Sequence, residues 1–132
     1  MVTCCFIQSS LQERKMSNIR AIRKMQQLNN LVAMVTELAR PGDTVVDFCS
    51  GTGHVGIVLA HTLPDCQIIL IENKEESLVR AQRRSSELDL KNIGFLQANL
   101  DYFNRPFQIG TNGLFSTASF NQHLYKIFCI CF

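Results

Sequence analysis

Apolar residues between Leu11 and Arg40 recur at Ile19, Ile22, Met25, Leu28, Leu31, Val32, Val35 and Leu38, the three-and-four spacing of one helix face. The pattern predicts a long amphipathic helix with a break near Asn29-Asn30, ended by Pro41-Gly42-Asp43. Thr44 to Phe48 is a β-branched run too short for a helix and reads as a buried strand. Val55 to Leu63 is helical in composition and stops at Pro64-Asp65. Gln67 to Ile71 is continuously apolar, as expected of a parallel strand covered on both faces. Lys74 to Leu88 returns to helical spacing, and Asn92 to Ala98 predicts a third strand. Helix, strand, helix, strand, helix, strand is the order of a Rossmann-like, doubly wound parallel α/β sheet. Phe107 to Gly110 is the candidate fourth strand, so the sheet is expected to be incomplete, with three to four strands. The expected organisation is an N-terminal helical extension over 1–25, a partial domain over 26–110 and a divergent, poorly ordered tail over 111–132.

Composition alters this picture little. The 132 residues suffice for one modest domain, and 46% hydrophobic with 18% charged residues is ordinary for a globular protein. A net charge of +2 does not imply nucleic-acid binding by the molecule's overall field. Arg14, Lys15, Arg20, Arg23 and Lys24 do crowd the N-terminal quarter; this group would suit RNA, but interleaved with an apolar helix face it reads more simply as a solvated surface. The six cysteines lack the pairing of a disulfide framework or zinc site, so they read as reduced thiols of a cytoplasmic protein, with no metal expected. No signal peptide or membrane span is expected.

The chemistry concentrates in DFCSGTGHVG, residues 47–56. A strand entering a glycine-rich turn and then a helix N-terminus presents unpaired backbone N–H groups at the carboxyl edge of a sheet. Gly51 and Gly53 are placed for close backbone approach to a ligand. Gly51-x-Gly53-x-x-Gly56 alone also satisfies a dinucleotide fingerprint. Asp47 separates the two readings: an acid at the strand end suits a cation-bearing ligand and would face like charge in a pyrophosphate site. Glu72 ends the next strand about twenty residues on, the spacing of a ribose-binding acid that accepts from both hydroxyls. Asn73 follows it, and Asn99 ends the third strand, where a side-chain carbonyl can accept a hydrogen bond.

The D-x-x-x-G-x-G arrangement resembles motif I of class I methyltransferases, with Cys49 where many members carry the first glycine. The resemblance narrows over about 26–109, where DFCSGTGHVG and LIENKEESLVRAQRRSSELDLKNIGFLQANLDYF are similar to the methyltransferase-like part of the glutathione S-transferase C-terminal domain-containing family, including Cys49, Ser50 and His54. It implies S-adenosylmethionine as cofactor, held by Asp47, Cys49, Ser50, Gly51, Gly53, His54, Glu72, Asn73 and Asn99, with Asn99 near the adenine amino group.

The acceptor motif of such enzymes usually follows the fourth strand as an Asn-Pro-Pro-aromatic run, and Gly110-Thr111-Asn112-Gly113 stands there instead. No catalytic residue is therefore assigned. The chain resembles a fragment or truncated isoform of that family, with an exposed sheet edge that a partner protein would cover. A non-catalytic interaction module fits the missing acceptor motif. A nicotinamide-dependent oxidoreductase is disfavoured by Asp47 and by the lack of a Tyr-Lys or His-acid pattern.

Overall fold

The computed structural model describes residues 18–99 and the backbone of a strand at 125–129. In chain order the elements are α1 (Asn18–Leu38), β1 (Thr44–Phe48), α2 (His54–Thr62), β2 (Gln67–Glu72), α3 (Glu75–Glu87), β3 (Ile93–Gln97) and β4 (Tyr125–Cys129). The strands form one parallel sheet in the order β3-β2-β1-β4. This is the α/β, Rossmann-like architecture expected of the alternating pattern. Because the sheet grows from β1 in both directions, its order reverses beside β1, and a crevice opens outside the carboxyl ends of the strands there.

The apolar periodicity explains the packing. Val45 of β1, Ile68 and Leu70 of β2 and the half-buried Ile93 and Phe95 of β3 share one face. Against it pack Leu28 and Val35 of α1, Val55, Val58 and Leu59 of α2, and Ala81 of α3. The opposite face carries Val46, Ile69 and Ile71, with Phe48 and Leu96 beside them. All three described helices contribute to the first cluster and none to the second.

The long helix differs from its expected form in two respects. It runs unbroken through Asn29 and Asn30, both exposed, because Asn costs only tenths of a kcal/mol in a helix interior and Leu28, Leu31 and Val32 on either side are packed. It therefore crosses the boundary expected at residue 25 as one element. Its apolar stripe is also only partly used: Ile19, Ile22 and Leu38 are exposed, while Leu28 and Val35 are buried. At the N-terminal end the reason is length, since 21 residues span about 31 Å against about 20 Å for a strand of the underlying sheet, whereas at the other end Leu38 points outward while its neighbour Ala39 packs against the core.

The fourth strand is Tyr125–Cys129, within the segment expected to be a divergent tail, and it pairs with β1 over Thr44 to Phe48. Phe107 to Gly110, the expected position, lies outside the described residues, as do Arg14, Lys15, the 110–113 turn and His123. Among the described residues no helix is long and apolar enough to cross a membrane.

One side chain absent from the sequence-based expectations ties the layers together. Asn92, just before β3, donates through Nδ2 to the carbonyls of Ala60, Leu63 and Cys66, each at 3.0 Å. These lie at the end of α2 and the turn into β2, where helix carbonyls lack intrahelical partners. Asn92→Ala removes this donor, and urea denaturation is expected to show a loss of roughly 1–2 kcal/mol, since the Leu63 carbonyl keeps its bond from the Cys66 N–H while the other two acceptors lose a partner. A loss below about 0.5 kcal/mol would mean that water replaces the amide at no cost.

Candidate functional site

Parallel register places the two acids. Phe48 of β1 is abreast of Ile71 of β2, so Glu72 stands level with the first residue of the turn. Side chains alternate along a strand, so Asp47 points to the same face as Val45, and Glu72 to the same face as Ile68 and Leu70. Both carboxylates therefore lie on the helix-covered side of the sheet, at adjacent strand ends.

Asp47 is 2% exposed. Its carboxylate accepts a hydrogen bond from the backbone N–H of Gly56 in the first turn of α2, while Oδ2 is buried without a hydrogen-bond partner. Burial, against which the Gly56 bond works, and then the nearby Glu72 charge raise its pKa from an ordinary 3.8 to about 7.

Glu72 has different surroundings. Its Oε1 accepts from the N–H groups of Asn73 at 3.0 Å and Lys74 at 3.1 Å, and Oε2 accepts from the N–H of Gly51 at 2.8 Å. A carboxylate offers about four acceptor positions, so one on Oε2 remains. One acceptor position on Glu72 is therefore available without displacing a backbone donor.

The turn is held by Ser50, whose N–H donates to the Ile71 carbonyl at 3.0 Å and whose own carbonyl accepts from Gly53 N–H at 2.9 Å. Ser50 Oγ is buried without a hydrogen-bond partner. Cys49 has φ +56°, the left-handed region in which glycine is normally found, which accounts physically for its standing at a glycine position. The glycines divide into two kinds. Gly51, at φ +55°, has open space where a Cβ would project. Gly53, at φ +78°, would bring a Cβ to 2.8 Å from both Ala81 Cβ and Leu70 Cδ2, so its missing side chain serves the contact of the turn with α3 and β2. Gly56 does the same for α2 against Leu70.

A small cleft of about 80 Å³ opens at these strand ends, lined by Cys49, Ile71, Glu72, Asn73, Ala98 and Asn99. Four of the nine expected site residues thus line it directly, and Gly51 joins them through Glu72. His54 is placed differently: it is half-buried at the start of α2, and its Nε2 lies 3.5 Å from Arg84 Nη1, which also donates to the Thr52 carbonyl at 3.1 Å. Arg84 reaches this junction from α3 across thirty residues of sequence, and helical spacing alone carried no sign of it. Ile71 and Ala98 were also missed. Both are apolar, and only their place beside a polar strand end pointed to the cleft.

A family profile described as a methyltransferase domain matches residues 39–121. The chain is 70% identical over 102 residues to the glutathione S-transferase C-terminal domain-containing protein of Xenopus laevis, a match covering 77% of this chain and 17% of that protein. The methyltransferase domain of bacterial CtHen1-C superposes with a TM-score of 0.51 at 25% identity, covering 60% of this chain and 42% of that one. Coclaurine N-methyltransferase, solved with N-methylheliamine and SAH, superposes with a TM-score of 0.51 at 18% identity over 55% of this chain and 22% of its own, a likeness of fold.

Proposed function

The chain belongs to the methyltransferase domain family, and from that premise we propose that it carries the S-adenosylmethionine-binding half of such a domain, in a cytoplasmic protein whose methyl acceptor is not assigned. The observation that carries this reading is the pair of carboxylates on one face at adjacent strand ends, one of them buried with an oxygen that lacks a partner. A ligand bringing an ammonium group, a ribose and an adenine matches that set. Asp47 answers the positive charge, the remaining acceptor position on Glu72 takes a ribose hydroxyl, and Asn99 at the β3 end accepts from the adenine amino group. Gly51 leaves open space where a side chain would project.

The cofactor, when bound, supplies a methyl group on a sulfonium centre. This chain contributes binding and orientation: backbone donors hold Glu72 in place before any ligand arrives, so less ordering is needed on binding.

Titration calorimetry with S-adenosylmethionine, its demethylated product and NAD tests the reading. The first two are expected to bind, NAD is not, and Glu72→Ala is expected to weaken binding about tenfold or more, the loss of a charge-assisted hydrogen bond. Equal or tighter binding of NAD would overturn it, as would an unchanged affinity in Glu72→Ala that remains folded by circular dichroism.

A further inference from the structure

Resting on that cofactor reading, we propose that Arg84 of α3 is a positioning residue for the turn: its guanidinium fixes the Thr52 peptide, and through it the donor that holds Glu72 in place for a ligand hydroxyl. Arg84 is half-buried, and its Nη1 donates to the Thr52 carbonyl at 3.1 Å and lies 3.5 Å from His54 Nε2 at the start of α2. One side chain thus meets both the turn and the helix that follows it. It does so from outside the cleft lining, so its effect on a ligand passes through the turn.

The local sequence creates the need for such a tie. Thr52 stands between Gly51 and Gly53, at φ +55° and +78°, and glycine leaves the backbone free to rotate on either side of it. In a trans peptide the carbonyl and the following N–H point in opposite directions. The Thr52–Gly53 unit is held at both of these ends, its oxygen by Arg84 and its N–H by the Ser50 carbonyl at 2.9 Å. One residue earlier, Gly51 N–H reaches Glu72 Oε2 at 2.8 Å, so rotation of the turn at Thr52 carries that donor away from the acid. The base of the tie is firm. Ala81, wholly buried and three residues before Arg84 on the same helix face, lies where a Cβ on Gly53 would come to 2.8 Å. That close approach seats the turn on α3 within reach of the guanidinium.

Amide exchange followed by NMR, with titration calorimetry of the demethylated product of S-adenosylmethionine, tests the proposal. In the unliganded wild type the Gly51 and Gly53 amides are expected to be protected; exchange there at the rate of an unstructured chain overturns the proposal without recourse to a variant. Arg84→Met keeps the aliphatic stem and removes the donors. It is expected to speed exchange at Gly51 and Gly53 about tenfold, leave the amides of β2 and β3 protected, and weaken ligand binding about tenfold. Arg84→Lys keeps the charge and a donor for the carbonyl, and is expected to recover most of both losses. Arg83→Met removes the same charge from the solvent side of α3, where Arg83 pairs with Glu87 at 3.1 Å, and is expected to change neither. Unchanged exchange or affinity in Arg84→Met, faster exchange spread evenly over the sheet, no recovery in Arg84→Lys, or equal weakening in Arg83→Met each overturns the role of Arg84 while leaving the cofactor reading intact. The expected exchange pattern in a wild type that binds no ligand overturns the cofactor reading and upholds the hold of Arg84 on the turn.

Discussion

Urea denaturation without ligand is expected to show the protein becoming less stable from pH 5 to pH 8, by up to about 2.6 kcal/mol. Asp47 is the cause. A group whose folded pKa lies above its unfolded value binds more protons in the folded state, so its contribution is fully present below the unfolded value, near 3.8, and is lost as pH rises through about 7. Of the interval between 3.8 and about 7, the part above pH 5 sets this figure, at roughly 1.4 kcal/mol per pH unit. This runs opposite to the usual behaviour of a carboxylate paired with a cation, which stabilises a fold as pH rises. Asp47→Asn keeps the shape and removes the charge, so its stability is expected to vary far less over the same range and to exceed that of the wild type at pH 8. A wild-type profile that is flat, or that rises toward pH 8, would show that the buried carboxylate is matched by a donor or cation.

The second large effect separates two glycines that look alike in sequence. Gly53→Ala is expected to lower stability by roughly 2–5 kcal/mol, adding the cost of a left-handed non-glycine residue to that of overpacking. The overlap is hard to relieve: one neighbour is the Cβ of Ala81, fixed to its helix backbone, and the other is the fully buried Leu70. Gly51→Ala meets no atom, so only the conformational cost of about 1 kcal/mol remains, partly offset by the stiffer unfolded chain. Cofactor affinity is expected to divide the other way on the proposed reading, with Gly51→Ala reducing binding in a protein that still folds, because a Cβ there would occupy the open space beside the residue that holds Glu72. Equal destabilisation of the two variants in denaturant titrations would refute this division.

Both effects turn on residues that the sequence identified for a different reason. Asp47 was singled out as the acid ahead of the glycines, and Gly53 as a point of close backbone approach. The structure keeps both at the turn and adds what surrounds them. Asp47 is buried at the end of β1, and the missing side chain of Gly53 makes room for α3. His54, at the start of α2, lies beside Arg84 of α3.

What the sequence by itself determined was whatever depends on neighbours along the chain. Apolar runs bounded by turn residues placed β1, β2 and β3 to within a residue or so, and spacing placed the three helices. A twenty-residue helical crossover brought Glu72 level with the turn, because a parallel strand pair admits few other arrangements. What only the tertiary structure decided depends on distance through space. The ionisation of Asp47 follows from desolvation by elements remote in sequence, the capping role of Asn92 from carbonyls 26 to 32 residues away, and the placing of the fourth strand at 125–129 from pairing with β1. Periodicity and backbone conformation are local and can be read in one dimension, whereas electrostatic environment and steric clearance are set by which atoms the fold brings together.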